Sequence, residues 1–189
     1  IAERDMRPLK ENEYTNTKIT CHCWLREPED HCVAATEAGQ LILFKSSEYV
    51  CHVDVSPGRE FPITSLISYA EGIIVGTTNG TLQFYQIDPA KSYGPDFTGM
   101  FTMTKTISTE LTSGSVTSMT MNPDQDLLTF VSSDSQMICV PMIAVNSLTD
   151  DDCYMLQCSF HGPAPITGMD VCIRKPLMVS CSKDNSLRV

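Results

Sequence analysis

The chain has 189 residues, room for one ordinary core, and a hydrophobic content of 42% that sets it among globular rather than disordered sequences. Its 23 acidic and 13 basic residues leave a net charge of −10, which argues against nucleic acid and against direct docking on other polyanions, whether acidic lipid or the acidic surface of tubulin. No apolar run approaches the roughly 18 residues a membrane helix needs, and the start at Ile1 shows no charged region followed by an apolar stretch, so a signal peptide is absent or was lost with an upstream part.

Residues 1–18 are polar with little periodicity and read as a linker or the end of a preceding unit, with Leu9 to Thr17 as a candidate outer strand. From there one pattern recurs four times. It starts at Ile19-Thr20, Ile63-Thr64, Val116-Thr117 and Ile166-Thr167, at spacings of 44, 53 and 50 residues (63 − 19, 116 − 63, 166 − 116). A fixed period near 45 residues is the mark of a propeller blade or a similar array unit. Arrays of this kind offer extended surfaces to partners.

In each unit the first strand alternates apolar and small polar residues, as in Ile63 to Ile67 and Val116 to Met121, which predicts one face in a core and one outside. The second strand is a continuous apolar or small run: Val33–Thr36, Ile73–Gly76, Leu127–Val131 and Leu177–Ser180. Such runs predict strands packed on both faces. A small polar turn follows, with Gly39, Gly80 and Asn185 where a positive φ is expected. Asn79-Gly80 is the strongest hairpin signal of the set. The third strands are Leu41–Phe44, Leu82–Tyr85 and Met137–Val140. A variable fourth segment closes each unit at Tyr49–Val53, Met100–Met103 and Tyr154–Cys158. Pro57-Gly58 and the stretch from Asp88 to Gly99 read as loops, and no helix of note is expected. The units divide the chain into blades at 19–58, 59–108 and 109–160, with a truncated blade at 161–189.

Three places could carry chemistry. Cys21-His22-Cys23, followed by His31-Cys32, has the look of a metal motif. Zinc ligands, however, are usually paired two to four residues apart in a loop that wraps the ion. In a strand Cys21 and Cys23 share one face, with Leu25, while His22 points away, which makes a core face the expected reading and His22 a poor base for either thiol. Asp150-Asp151-Asp152 could hold a divalent cation but reads as a solvated loop tip, and Asn79-Gly80-Thr81, although it matches the glycosylation sequon, reads as a turn. The one tryptophan, Trp24, lies in the first strand, where core packing is expected over an exposed hot spot. The nine cysteines lie mostly inside apolar strand-like runs, at Cys32, Cys139, Cys172 and Cys181 among others, so reduced thiols in a reducing compartment are expected, without metal or disulfide. There is no phosphate-cradling Gly-Lys-Ser/Thr loop and no Gly-x-Ser-x-Gly elbow. The residues themselves therefore nominate no catalytic, cofactor-binding or metal site.

The last repeat carries a specific likeness. Ser180-Cys181-Ser182-Lys183-Asp184-Asn185-Ser186-Leu187-Arg188-Val189 resembles the end of a WD repeat, in which an Asp caps the hairpin turn and joins a hydrogen-bonded set with a His, a Ser and a Trp. The resemblance gives these roles to Asp184, Ser180 and His161, although His161 lies five residues before Ile166 instead of four and is followed by glycine rather than preceded by it. Asp134 matches the same Asp in the third repeat, whereas Ala38 and Asn79 make the first two repeats degenerate. Ala164 to Gly168, Cys172 to Leu177 and Ser180 to Ser182 look like one group in particular, the cilia- and flagella-associated WD-repeat proteins of the fifty-seven type, and Val33 to Phe44 and Val116 to Pro123 resemble that group's first propeller. This likeness implies an all-β fold, about four blades of an incomplete, seven-bladed WD-repeat propeller. It also implies a non-enzymatic structural protein of the motile ciliary axoneme, helping to seat inner-arm dyneins on the doublet microtubule, with other axonemal proteins as partners and no cofactor. A propeller adaptor of another assembly is the alternative, since fold does not set function.

Overall fold

The computed structural model describes residues 18–46, 48–54, 62–88, 100–108, 111–143, 147–155, 161, 164, 166–175 and 177–189. Pro57-Gly58, the loop from 89 to 99 and the candidate strand between Leu9 and Thr17 lie outside them. The described chain is fifteen strands and one short 3-10 turn. The strands are β1 (Ile19–Trp24), β2 (His31–Thr36), β3 (Gln40–Lys45), β4 (Glu48–Asp54), β5 (Ile63–Tyr69), β6 (Gly72–Thr77), β7 (Thr81–Ile87), β8 (Phe101–Ser108), β9 (Val116–Met121), β10 (Leu127–Ser132), β11 (Met137–Pro141), β12 (Tyr154–Met155), β13 (Ile166–Val171), β14 (Met178–Ser182) and β15 (Leu187–Arg188). They form four antiparallel sheets in simple up-and-down order: β1 to β4, β5 to β8, β9 to β12 and β13 to β15.

The repeated Ile/Val-Thr dipeptide has a geometric reason. In every sheet the pairing of the first two strands shifts register at this point, so that Thr20, Thr64, Thr117 and Thr167 are each the extra residue of a β-bulge. Each threonine hydroxyl donates across the bulge to a carbonyl of the second strand: Thr20 to Ala35 at 3.3 Å, Thr64 to Gly76 at 3.1 Å, Thr117 to Val131 at 2.8 Å and Thr167 to Cys181 at 3.3 Å. A bulge leaves a backbone acceptor without its ladder partner, and a β-branched residue with a hydroxyl suits both the strand and the vacancy.

The turns between second and third strands are equally regular. Gly39, Gly80, Ser135 and Asn185 donate their backbone N–H to Thr36, Thr77, Ser132 and Ser182 respectively, at 3.0–3.3 Å. The donor residue has φ of 80° in both glycines and 61° in Ser135 and Asn185. Glycine adopts that conformation freely, and asparagine tolerates it better than most residues. Ser135 was not expected there.

Sheets stack face to face. Val33, Ala35, Leu41 and Leu43 of the first sheet meet Ile63, Ile73, Val75 and Tyr85 of the second in one core. Ile74, Leu82 and Phe84 on the other face of the second sheet meet Val116, Leu128, Phe130, Ile138 and Val140 of the third in another. Tyr69 stands edge-on to Phe84 in this core, with ring centroids 6.3 Å apart. Buried aliphatic and aromatic side chains of this size contribute about 1.5–3 kcal/mol each.

Two expectations are corrected here. The alternation in β5 does not leave one face outside, because the bulge at Thr64 resets its phase: Ile63 and Leu66 join the first core, and Ile67 and Tyr69 the second. Packing on both faces holds for β2 and β6, whereas Leu127, Thr129 and Val131 of β10 are half-buried and Met178 of β14 is exposed. For β6 the reason is that a sheet stands on each side of it.

Candidate functional site

The residues nominated by resemblance do converge, at the top of the fourth sheet. His161 is buried and places Nδ1 3.1 Å from Asp184 Oδ2 and 2.9 Å from Ser186 Oγ, while Nε2 is 2.9 Å from Ser180 Oγ. A carboxylate only accepts, so in the neutral imidazole Nδ1 carries the proton and the Ser180 hydroxyl donates to Nε2. Asp184 Oδ1 also accepts from the backbone N–H of Ser186 at 2.9 Å and from its hydroxyl at 2.7 Å, which closes the hairpin turn. The unusual spacing of His161 does not keep it out of the set.

The same corner of the third sheet uses different atoms. Thr112, four residues before Val116, donates to Asp134 Oδ2 at 2.9 Å and accepts from the N–H of Gly114 at 3.0 Å. Thr112 escaped the sequence reading, although its place four residues ahead of the repeat start is where the family pattern puts a His. Gly114 has to be small, since a Cβ would stand 2.5 Å from both Asp134 Oδ1 and Ser133 Oγ. In the second sheet Asn79 takes the turn, its Oδ1 accepting from the hydroxyls of Thr77 and Thr81, the latter at 2.9 Å. That accounts for the sequon residues as turn residues. In the first sheet Thr36 accepts from the N–H of Gln40 at 3.1 Å.

Ser180, His161 and Asp184 have the connectivity of a hydrolytic triad. The surroundings do not support that chemistry. The hydroxyl of Ser180 points to a buried imidazole, and Ser186 competes for Nδ1. A nearby cavity of about 170 Å³ is lined by Asp170, Cys172, Leu177, Met178, Val179 and Val189, and by none of the three. The set is a clamp that holds the hairpin of β14 and β15 to the segment entering β13.

Cys21 and Cys23 share a face and pack on the first core beside buried Leu25, with His22 exposed on the other side. Burial, with Cys32 and Cys21 nearby, pushes the Cys23 thiol up to about 12. Among the described residues no group of three or more His, Cys, Asp or Glu side chains gathers as a metal ion would require. None of the described cysteines is in a disulfide, and Cys172 and Cys181 are exposed where strand burial was expected. Asp150–Asp152 form the 3-10 turn. Asp152 accepts from the Thr149 backbone and hydroxyl, which lowers its pKa, and Asp150 Oδ1 accepts from the N–H of Ser108 at 3.1 Å, tying the third sheet to the second. Trp24 is 60% exposed, contrary to expectation, because on the edge strand β1 it shares the outward face of His22, while Cys21, Cys23 and Leu25 face the core.

Four-stranded meanders with bulged first strands and Asp- or Asn-closed turns, stacked face to face, define this as an incomplete WD-repeat β-propeller. Solved structures agree on the fold. The β-propeller domain of Cps50 (Swd1) from Myceliophteria thermophila superposes with a TM-score of 0.59 at 12% identity, over 89% of this chain and 52% of that one. Sqt1 from Chaetomium thermophilum gives 0.54 at 14% identity, over 86% and 42%. The computationally designed Ika4 protein gives 0.57 at 14% identity, over 99% and 97%.

In sequence the chain is similar to two curated proteins of Tetrahymena thermophila. It is 29% identical over 174 residues to cilia- and flagella-associated protein 57 A and 23% identical over 185 residues to cilia- and flagella-associated protein 57 C. These matches cover 89% and 90% of this chain but only 13% and 14% of those proteins. The resemblance seen in the last repeat thus extends over nearly the whole chain. No protein-family model matches it.

Proposed function

We propose that this chain is a non-enzymatic scaffold segment of the motile ciliary axoneme, helping to seat inner-arm dyneins on the doublet microtubule. The observation that carries the reading is the match to two cilia- and flagella-associated proteins along about nine-tenths of the chain. The propeller fold supports a protein-binding role, and the Ser180–His161–Asp184 set serves as a structural clamp. With a net charge of −10 the segment is a poor direct partner for an acidic tubulin surface, so its contact with the doublet runs through other axonemal proteins. The same reading takes 19–58, 59–108, 109–160 and 161–189 as blades, with 1–18 belonging to what precedes them.

The test is to tag the native gene in its own ciliated cell and image demembranated axonemes by cryo-electron tomography. The tag is expected at a fixed axonemal repeat beside the inner arms, with inner-arm density lost when the gene is deleted. A tag confined to the cell body or released with the ciliary membrane would overturn the axonemal role and favour an adaptor of another assembly. Treatment of the native protein with a serine-reactive fluorophosphonate should leave Ser180 unlabelled. Labelling there would contradict the non-enzymatic assignment.

A further inference from the structure

Each sheet turns from its first strand to its second at the end opposite the bulge, so these four turns occupy equivalent places. Their charges differ. In the first sheet the turn spans 25–30 and carries Arg26, Glu27, Glu29 and Asp30, a net charge of −2. The second carries Glu71 alone, for −1, and the third carries Asp124 and Asp126, for −2. The fourth, at 172–177, carries Arg174 and Lys175 and no acid, for +2. No other two basic residues adjoin in the sequence. Residues 161–189 as a whole hold four basic and two acidic side chains, in a chain whose net charge is −10.

The basic turn also presents an apolar tip. Ile173 is 101% exposed, the most of any large hydrophobic side chain among the described residues, and Arg174 and Lys175 beside it are exposed. Among the described residues neither cation is in an ion pair. The backbone fixes the turn: the N–H of Cys172 donates to the Leu177 carbonyl at 2.9 Å, and that of Leu177 to the Lys175 carbonyl at 2.7 Å. The exposure is a property of this end of the sheets and does not depend on what stands on their faces. Ala70 and Glu71 in the equivalent turn of the second sheet are exposed too, although that sheet is flanked on both faces.

We infer that Ile173, Arg174 and Lys175 form a docking knob for an acidic segment of another polypeptide, one that sets an apolar residue among its carboxylates. Charge selects the sign of the partner, since two unpaired cations attract carboxylates and repel basic chains. The guanidinium of Arg174 can hold a carboxylate by two parallel hydrogen bonds. Ile173 selects a polypeptide over a small anion, because a phosphate ion would leave that side chain in water, whereas an apolar residue of the partner covers it. The three acidic turns select a narrow partner. In a propeller the turns at one end of the sheets share a face. An anionic membrane, or a second copy meeting that face end to end, would bring the acidic turns within the roughly 8 Å over which charges act at physiological salt, and would be repelled. A single extended segment can reach Arg174 and Lys175 without meeting the rest. A turn already fixed by its own backbone hydrogen bonds loses little conformational freedom on docking.

The inference does not depend on the ciliary reading, and the full-length protein in its own cell tests it. A photo-crosslinking phenylalanine derivative placed at position 173 is irradiated, and the peptide joined to it is sequenced by mass spectrometry. The expected product is a segment of a different polypeptide that is rich in Asp and Glu and carries a net negative charge. Arg174→Glu together with Lys175→Glu should lower the crosslink yield about tenfold or more, and the pair Arg174→Gln and Lys175→Gln by less. Asp124→Lys, in the neighbouring acidic turn, should not lower it. All these side chains are exposed, so the melting temperature should stay unchanged in each variant. A crosslink to lipid, to a second copy or to a segment without net negative charge would overturn the inference. So would a yield indifferent to charge reversal, or no crosslink at all.

Discussion

The repeated threonine shows how one hydroxyl can explain a sequence pattern. Thr117 sits at the bulge of β9 and gives its proton to the Val131 carbonyl at 2.8 Å. Thr117→Val keeps the shape and removes the donor, and is expected to lower stability by roughly 0.5–1.5 kcal/mol in urea denaturation of the full-length protein. Thr106→Val, whose hydroxyl reaches only the thioether of Met103 at 3.7 Å, should cost much less. Asp184 and Asp134 belong to the same scale. Asp184 closes its hairpin turn and Asp134 accepts from Thr112, so alanine at either should cost about 1–2 kcal/mol, and an unchanged melting temperature would contradict the clamp. Cys23 adds a pH dependence. Its pKa rises from 9.0 to about 12 on folding, chiefly by burial. The unfolded thiol loses its proton first, so the contribution is complete below pH 9 and is lost as the pH rises toward 12. An alkaline unfolding titration should therefore be shallower in Cys23→Ala than in the parent. Equal slopes would refute the shift.

At the scale of elements, the meander of each sheet is local, whereas burial comes from neighbours. Gly76 marks the tightest apposition between sheets. A Cβ there would lie 2.4 Å from Ser65 Oγ and 2.7 Å from Val116 Cγ1, so β6 and β9 meet without room for a side chain. Gly76→Val is expected to force the second and third sheets apart and lower stability by roughly 1–3 kcal/mol, read as a fall in the denaturation midpoint. Gly76→Val tolerated without change would mean that the two sheets do not stack this closely. The strand order and the turns were legible in the residues, because apolar runs, the Asn79-Gly80 hairpin signal and the Ile/Val-Thr starts are local signals. The bulge was not, since a register shift depends on both strands at once. Nor was the positive φ of Ser135, whose turn geometry is imposed by the hairpin against the residue's own preference.

Across the whole molecule, the first three of the four sheets share two cores, and the fourth, with Leu187 and Val189 exposed, contributes no described residue to either. The residues of this chain alone established the repeat, its all-β character and the likeness to ciliary WD-repeat proteins, for these rest on alternation, turn chemistry and motif order along the backbone. Only the tertiary structure decided which faces are covered. It brought His161 onto Asp184 in spite of an irregular spacing, and put Thr112 on Asp134 where no histidine stands. It also left Trp24 exposed. The reason is physical: a side chain's partner across a bulge, a turn or a sheet interface comes from residues some fourteen to fifty positions away, such as Ala35 for Thr20 or Val116 for Gly76, and short-range preferences carry no record of that distance.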